Sequence, residues 1–238
     1  MRALFLQTFK AAAIYFLLCL GTLLMLRSIL RYTAFDDGAG FLALKQPYVN
    51  IPLWKAAFYT HVFSSLLTLL AGFIQFSTQA RSSYPRLHRW MGRVYVAGIL
   101  LVNVPAGFVL AVYANGGIPS KIAFVLLDVL WAVFTWKGYS SARSGNFHAH
   151  RDFMIRSYAL TLSALTLRSW KIVFFSFTAL TPALIYQIDA WLGFVPNLLL
   201  AEWMVRHRRS TRSSPDQRRK MPIGKVRQTS VPAAPGTQ

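Results

Sequence analysis

The sequence predicts an all-α fold, an integral membrane bundle of six transmembrane helices. Three observations predict it. Apolar residues fill 55% of the 238 positions and charged residues only 14%, with a mean hydropathy of +0.40, whereas soluble domains run about 45–50% apolar and roughly a quarter charged. The apolar residues gather in six blocks, each close to the ~20 residues that a helix needs to cross hydrocarbon. The basic residues gather between the blocks. Blocks this long, without period-two alternation, do not read as strands. Six of them on short connections argue against a buried soluble bundle.

The first block covers residues 11–30. Arg2 and Lys10 precede it, no small-x-small cleavage site is evident, and the run continues past Leu26, so it reads as a retained helix and not a cleaved signal peptide. The second covers 53–76. The third, 94–114, contains no charge. The fourth, 122–139, carries Asp128, and the fifth, 153–177, carries Arg168 and Lys171. The sixth, 186–205, is interrupted by Asp189, Asn197 and Glu202. Pro105 and Pro196 fall inside the third and sixth blocks, where a kink is tolerated if neighbours satisfy the freed carbonyls. Between blocks one and two, Asp36-Asp37-Gly38-Ala39-Gly40 reads as a turn, and residues 41–44 as lying on the membrane surface. These readings divide the chain into a six-helix transmembrane domain, 1–205, with a core four-helix unit at 53–177. A basic, disordered cytoplasmic tail follows at 206–238.

Charge fixes the orientation. With the N-terminus inside, 19 of the 26 Lys and Arg residues lie on the cytoplasmic side and seven in outer loops or outer helix halves. The positive-inside rule therefore places both termini in the cytoplasm of an inner-membrane, multi-pass protein. The same distribution explains the net charge of +19 without nucleic acid, because nine basic residues sit in the tail and most others flank apolar blocks. Cys19 is the single cysteine, so no intrachain disulfide forms. The seven carboxylates argue against a hydrolase needing two acids and against a carboxylate-rich cation site.

Two polar clusters are the candidate sites. At the cytoplasmic face, His88-Arg89-Trp90-Met91-Gly92-Arg93-Val94-Tyr95 echoes His150-Arg151-Asp152-Phe153-Met154-Ile155-Arg156-Ser157-Tyr158, with one extra residue in the second copy. The echo suggests a repeated two-helix hairpin. His88 and Tyr95 are seven apart on one helix face, and Arg89 and Arg93 are four apart on another. His148 and His150 precede the fifth block and can converge with His88. Facing imidazoles at His88 and His150 would ligate a b-type haem iron or another metal. Arg89, Arg93, Arg151 and Arg156 would hold haem propionates, a quinone head group or an anionic lipid. The plainer reading is that these side chains snorkel to head groups and set topology.

The second cluster lies nearer the outer face. Counting residues from the membrane edge puts His61, Asp128 and Arg168 at similar depth. Charges in lipid are expensive and usually pair, so the expectation is an Asp128–Arg168 ion pair with His61 nearby. Gly72, Gln75 and Asn103 are expected at interhelical contacts. Asn197 and Glu202 are expected to close the inner site, with Glu202 facing Arg156 or Arg93.

Thr60-His61, Ala71-Gly72-Phe73-Ile74-Gln75-Phe76, the two His-Arg motifs (the second continuing to Leu160), Trp191-Leu192 and the run from Pro196 to Trp203 together resemble an uncharacterised family of bacterial membrane proteins, domain of unknown function 2306. That resemblance covers about two-thirds of the chain and implies topology. A looser resemblance, to transmembrane b-type cytochromes, rests on histidines near helix ends. The fourth block carries no histidine, so the outer site has His61 alone and one haem, between His88 and His150, is what this resemblance implies. Three functions stay open on these grounds. One is a redox protein exchanging electrons with a quinone. Another is a transporter or lipid- and anion-binding protein, with His61, Asp128 and Arg168 relaying a proton. The last is a non-catalytic assembly protein.

Overall fold

The computed structural model describes residue 16 and residues 18–213. Arg2, Lys10 and the tail beyond Ser213 lie outside the described residues. The described chain is helical, with no strand among those residues.

Helix α1, Leu18–Leu30, is a 13-residue apolar helix whose Gly21 lies against the Leu165 side chain. A loop with a 3₁₀ turn at Leu42–Lys45 leads to α2, Pro52–Phe76, which starts with proline in its first turn. Proline suits that position because its missing N–H would have had no helical partner. A short α3, Thr78–Ser83, precedes α4, Pro85–Ala97. A π-helical segment, Gly98–Asn103, joins α4 to α5, Val104–Val112.

The long α6, Gly117–Arg143, ends at Gly145, whose φ of 75° suits the left-handed turn that stops a helix. The next residue, Asn146, caps α7, Phe147–Thr161, by accepting from the Ala149 N–H at 3.1 Å. Leu162 separates α7 from α8, Ser163–Phe177. Two further helices, α9, Pro182–Leu192, and α10, Val195–Ser213, close the chain.

Four stretches are long and apolar enough to cross a membrane: Pro52–Phe76, Pro85–Val112, Gly117–Arg143 and Pro182–Ser210. The fifth expected span is two 15-residue helices meeting at Leu162. Of the first, the described part is 13 residues long. The bundle turns apolar side chains outward on several helices, among them Leu67 (63% exposed), Leu101 (75%) and Leu199 (66%). Water would penalise so much outward apolar surface, and hydrocarbon does not.

Cross-helix hydrogen bonds fix the packing register. Gln75 Nε2 donates to the His88 carbonyl at 2.8 Å and Asn103 Nδ2 to Thr68 Oγ1 at 2.9 Å, so α2 runs antiparallel to α4–α5. Pairings of Thr135 with Ser157 at 2.7 Å and of Trp131 with Thr161 at 3.2 Å set α7 antiparallel to α6. Both His-Arg motifs thus lie on the second arm of an antiparallel helix pair. One end of the bundle carries the loop of residues 31–51 and is called the loop end. The other carries the two motifs and is called the basic end.

Three differences from the sequence reading have physical causes. First, residues 41–44 do not simply lie outside. Leu42 is fully buried and Lys45 is 2% exposed, because Tyr32 Oη accepts from the Phe41 N–H at 3.1 Å and folds the loop inward. Second, the tail expected from Arg206 begins as helix, which runs on to Ser213. Arg206 bonds to Glu202 at 3.0 Å and Arg209 to Asp152 at 2.8 Å, which fastens that last part. Third, the break in the sixth block falls at Gly193 and Phe194, ahead of Pro196. A proline ring clashes with the carbonyl four residues earlier, here that of Leu192, so the disturbance sits upstream of the proline itself.

Candidate functional site

A cavity of about 220 Å³ lies inside the loop end, and its walls include His61, Asp128 and Arg168. These are the three residues expected to share the outer site. They come from α2, α6 and α8, so three separate helices bring them to one cavity. Lys45, from the 3₁₀ turn, also lines it.

The π-helical segment positions His61. Pro105 supplies no N–H to the Leu101 carbonyl and crowds it, which favours a widened turn just before it. Asn103, fully buried, fills the widened turn: its Nδ2 donates to the Gly98 carbonyl and to Thr68 Oγ1, both at 2.9 Å, and its Oδ1 accepts from Ser64 Oγ at 3.0 Å. The Asn103 carbonyl lies 3.2 Å from His61 Nδ1. A carbonyl only accepts, so Nδ1 carries the hydrogen. Nε2 is left as the acceptor on a ring that lines the cavity.

Asp128 is 5% exposed and has no hydrogen bond or ion pair within the described residues. Its carboxyl group lies over the backbone of Gly107 in α5, where an added Cβ would come within 2.8 Å of both oxygens. The expected Asp128–Arg168 ion pair does not form. Arg168 Nη1 donates instead to the Ala164 carbonyl of its own helix. All three residues line one cavity, but a shared cavity does not set the direction of a side chain around its helix. The missing Cβ of Gly107 leaves room for the carboxyl group against α5.

Lys45 closes the loop end of the cavity. Its Nζ donates to the Tyr113 carbonyl and, at 2.7 Å, to Asn115 Oδ1. It also sits over the rings of Phe41 and Tyr48, 5.5 and 5.2 Å from their centroids. Burial first, and then the Lys121 and Lys171 charges, bring its pKa down to about 8. Nothing in the composition of this loop marked Lys45 as buried; its only cue is the apolar run before it. Gly107 was missed for the same reason, since one glycine in an apolar helix reads as ordinary packing. In α9, Asp189 is 2% exposed with Oδ1 unpartnered within the described residues. Lys171 lies within its electrostatic reach.

Below the cavity, buried hydroxyls run between α4, α6 and α7. Thr161, in the cavity wall, bonds to Tyr95 Oη at 2.8 Å; Tyr95 bonds to Ser157 Oγ at 3.0 Å; Ser157 bonds to Thr135 at 2.7 Å. Tyr95 is therefore turned into this seam, and its ring lies 6.3 Å from that of Tyr158, its counterpart in the echoed motif. Tyr158 packs on α2 where Gly72 leaves room for it.

The residues of the basic end are only partly gathered. His88 and His150 lie within electrostatic reach of each other. His150 Nδ1 is 2.8 Å from the Gly138 carbonyl and so carries its hydrogen, leaving Nε2 available. His88 Nδ1 is buried without a partner among the described residues. His148, Arg89, Arg93 and Arg151 are exposed. Arg156 is committed to Glu202, at 2.7 Å, as one of the two expected pairings. Asn197 does not close this end; its Nδ2 donates to the Ala159 carbonyl at 3.2 Å and to Thr166 Oγ1 at 3.0 Å, near the α7–α8 break. No group of three or more His, Cys, Asp or Glu suited to a metal ion occurs among the described residues. That falls short of the three or four protein ligands of a zinc site, while two imidazoles are the number a bis-histidyl haem iron takes.

No curated protein and no solved structure matches the chain. A family model described as "Predicted membrane protein (DUF2306)" matches residues 58–205, a stretch that holds His61, Asp128, Arg168 and both His-Arg motifs. The chain belongs to this family of membrane proteins.

Proposed function

We propose that this protein is a six-helix, inner-membrane transporter with both termini in the cytoplasm, and that it binds a small polar solute in the loop-end cavity. The observation that carries this reading is the Asp128 carboxyl group, 5% exposed, at the wall of a cavity of about 220 Å³ with no partner among the described residues. Intramembrane ionisable groups are costly, and those facing a cavity commonly mark a solute or ion path. The broken α7–α8 and α9–α10 passages are of the kind transporters place beside their sites. On this reading the loop end faces outward, as the positive-inside rule requires. The exposed arginines of the basic end then meet anionic head groups in the cytoplasmic leaflet.

The test is solute-dependent protection and uptake. The full chain is reconstituted in proteoliposomes and screened for small polar solutes that raise its melting temperature and enter the vesicles. Ala111→Phe, which fills the cavity, should abolish both effects while leaving the protein folded. Uptake that survives Ala111→Phe would refute a role for this cavity.

A second reading has its own observation. His88 and His150 each keep a ring nitrogen unengaged, as a b-type haem iron in a quinone-linked redox protein would require. Haem would supply one-electron chemistry there. A reduced-minus-oxidised spectrum without a Soret band, from cells supplied with haem, rules it out; a band lost in His88→Ala supports it.

A further inference from the structure

We propose that the solute is a small zwitterion with an apolar body, its ammonium end held by Asp128 and its carboxylate end by Arg168. This rests on the cavity-binding reading above and deepens it. Besides the Tyr186 phenol, the cavity is lined by one carboxyl group and three basic side chains: Asp128, Lys45, His61 and Arg168. Two already have their bonds. Lys45 spends its ammonium on the Tyr113 carbonyl and on Asn115, and His61 gives its one N–H to the Asn103 carbonyl.

The other two are unmatched. Asp128 is 5% exposed and has no partner among the described residues. Arg168 uses one guanidinium nitrogen on the Ala164 carbonyl, out of five N–H donors, and none of the ion pairs within the described residues includes it. One cavity thus presents an open carboxyl group and an open guanidinium on different helices, too separated to neutralise each other by contact.

That arrangement selects by charge. A monoanion would satisfy Arg168 and leave Asp128 a lone carboxylate in a low dielectric. A monocation would do the reverse. A molecule with both charges satisfies both residues and enters with no net charge, so neither Asp128 nor Arg168 is left unmatched. The walls choose the rest of the molecule. Phe124, Asp128 and Trp131 share one face of α6 at helical spacing, and both aromatics line the cavity. Aromatic faces beside a carboxylate suit an ammonium group. Trp54, Leu127 and Tyr186 add apolar wall, and His61 Nε2 offers the ammonium one more acceptor.

The test uses matched probes on the full chain in lipid nanodiscs: L-phenylalanine and L-leucine as zwitterions, phenethylamine and isopentylamine without the carboxylate, 3-phenylpropionate and 4-methylpentanoate without the ammonium. Dissociation constants come from calorimetry or melting shifts. A zwitterion should bind at least about tenfold tighter than either of its singly charged partners, the scale of one charge-assisted hydrogen bond. Asp128→Asn should erase the advantage over the anion and keep the advantage over the amine. Arg168→Gln should do the opposite. Asp128→Glu and Arg168→Lys, which keep the charges, restore part of each and guard against misfolding in the neutral variants. Equal binding of one singly charged partner, sensitive to Ala111→Phe, would overturn the zwitterion assignment while leaving the cavity reading standing. No binding by any probe would overturn both.

Discussion

Gly107→Ala puts a single methyl group against the proposed site, and its consequences can be worked out from the geometry. The new Cβ would stand 2.8 Å from both Asp128 carboxylate oxygens and 3.1 Å from Cγ. Ordinary van der Waals contact begins near 3.4 Å, so the carboxyl group must retreat by roughly 0.6 Å or turn its χ angles. Overpacking of this kind costs about 1–3 kcal/mol. Replacing a helical glycine by alanine returns about 1 kcal/mol of helix propensity. The net expectation is a loss of about 0–2 kcal/mol in the wild-type background.

In an Asp128→Ala background the collision disappears and only the propensity gain of about 1 kcal/mol remains. The double-mutant cycle should therefore show a coupling of about 1–3 kcal/mol between the two positions. The assay is reversible unfolding of the protein in mixed detergent micelles, with all four variants compared. Additive effects, within about 0.5 kcal/mol, would refute the placement of the Asp128 carboxyl group over Gly107 and, with it, the reason the Arg168 pair fails to form.

Three other measurements follow. The Lys45 pKa of about 8, against 10.5 for a free lysine, makes stability rise with pH between about 8 and 10.5, because the folded chain there holds fewer protons than the unfolded one. Below about pH 8 the cost of burying the charge is fully present. The melting temperature of wild type relative to Lys45→Met should climb across that window, and a flat difference would contradict the burial of the ammonium. Asn103→Leu removes the bonds to the Gly98 carbonyl and Thr68 and frees the Ser64 hydroxyl; the loss should be about 1–3 kcal/mol, and an unchanged melt would show that the π-helical turn does not depend on this side chain. Gly72→Ala drives a methyl group into the Tyr158 ring, at about 1–3 kcal/mol, and the pairing Gly72→Ala with Tyr158→Leu should recover much of it, whereas no recovery would place the damage elsewhere.

The second, third and fourth blocks were legible to within a few residues at most ends, because continuous apolar runs bounded by proline, glycine and charge leave little choice. The spacing of 94–114 missed the first helical turns of Pro85–Val112, since Arg86, Arg89 and Arg93 are polar but remain helical. The break at Leu162 had no sequence mark. It contains no proline, and its signals are hydroxyls that turn back on their own helix, as in Thr161 to the Ser157 carbonyl at 3.2 Å and Ser163 to the Leu160 carbonyl at 2.5 Å, a habit that bends helices. At the site, residue type and depth identified His61, Asp128 and Arg168 as neighbours of one space. Whether they touched depended on helix rotation, which apolar blocks without a strong polar face leave undetermined.

The hydroxyl seam also has a mechanical meaning. Thr161, Tyr95, Ser157 and Thr135 each bond to the next, so a slide of α7 along α6 by one turn would break the row all at once in a medium with no water to replace it. Those helices and α4 are therefore one stiff strut. Any motion that admits a molecule to the cavity must come from the parts fastened outside that strut. Among these are α8, broken from α7 at Leu162 and bearing Arg168, and the loop that carries Lys45. One charged end of the site would then ride on the moving part while Asp128 stays on the fixed one, so that a bound molecule itself would draw the two parts together.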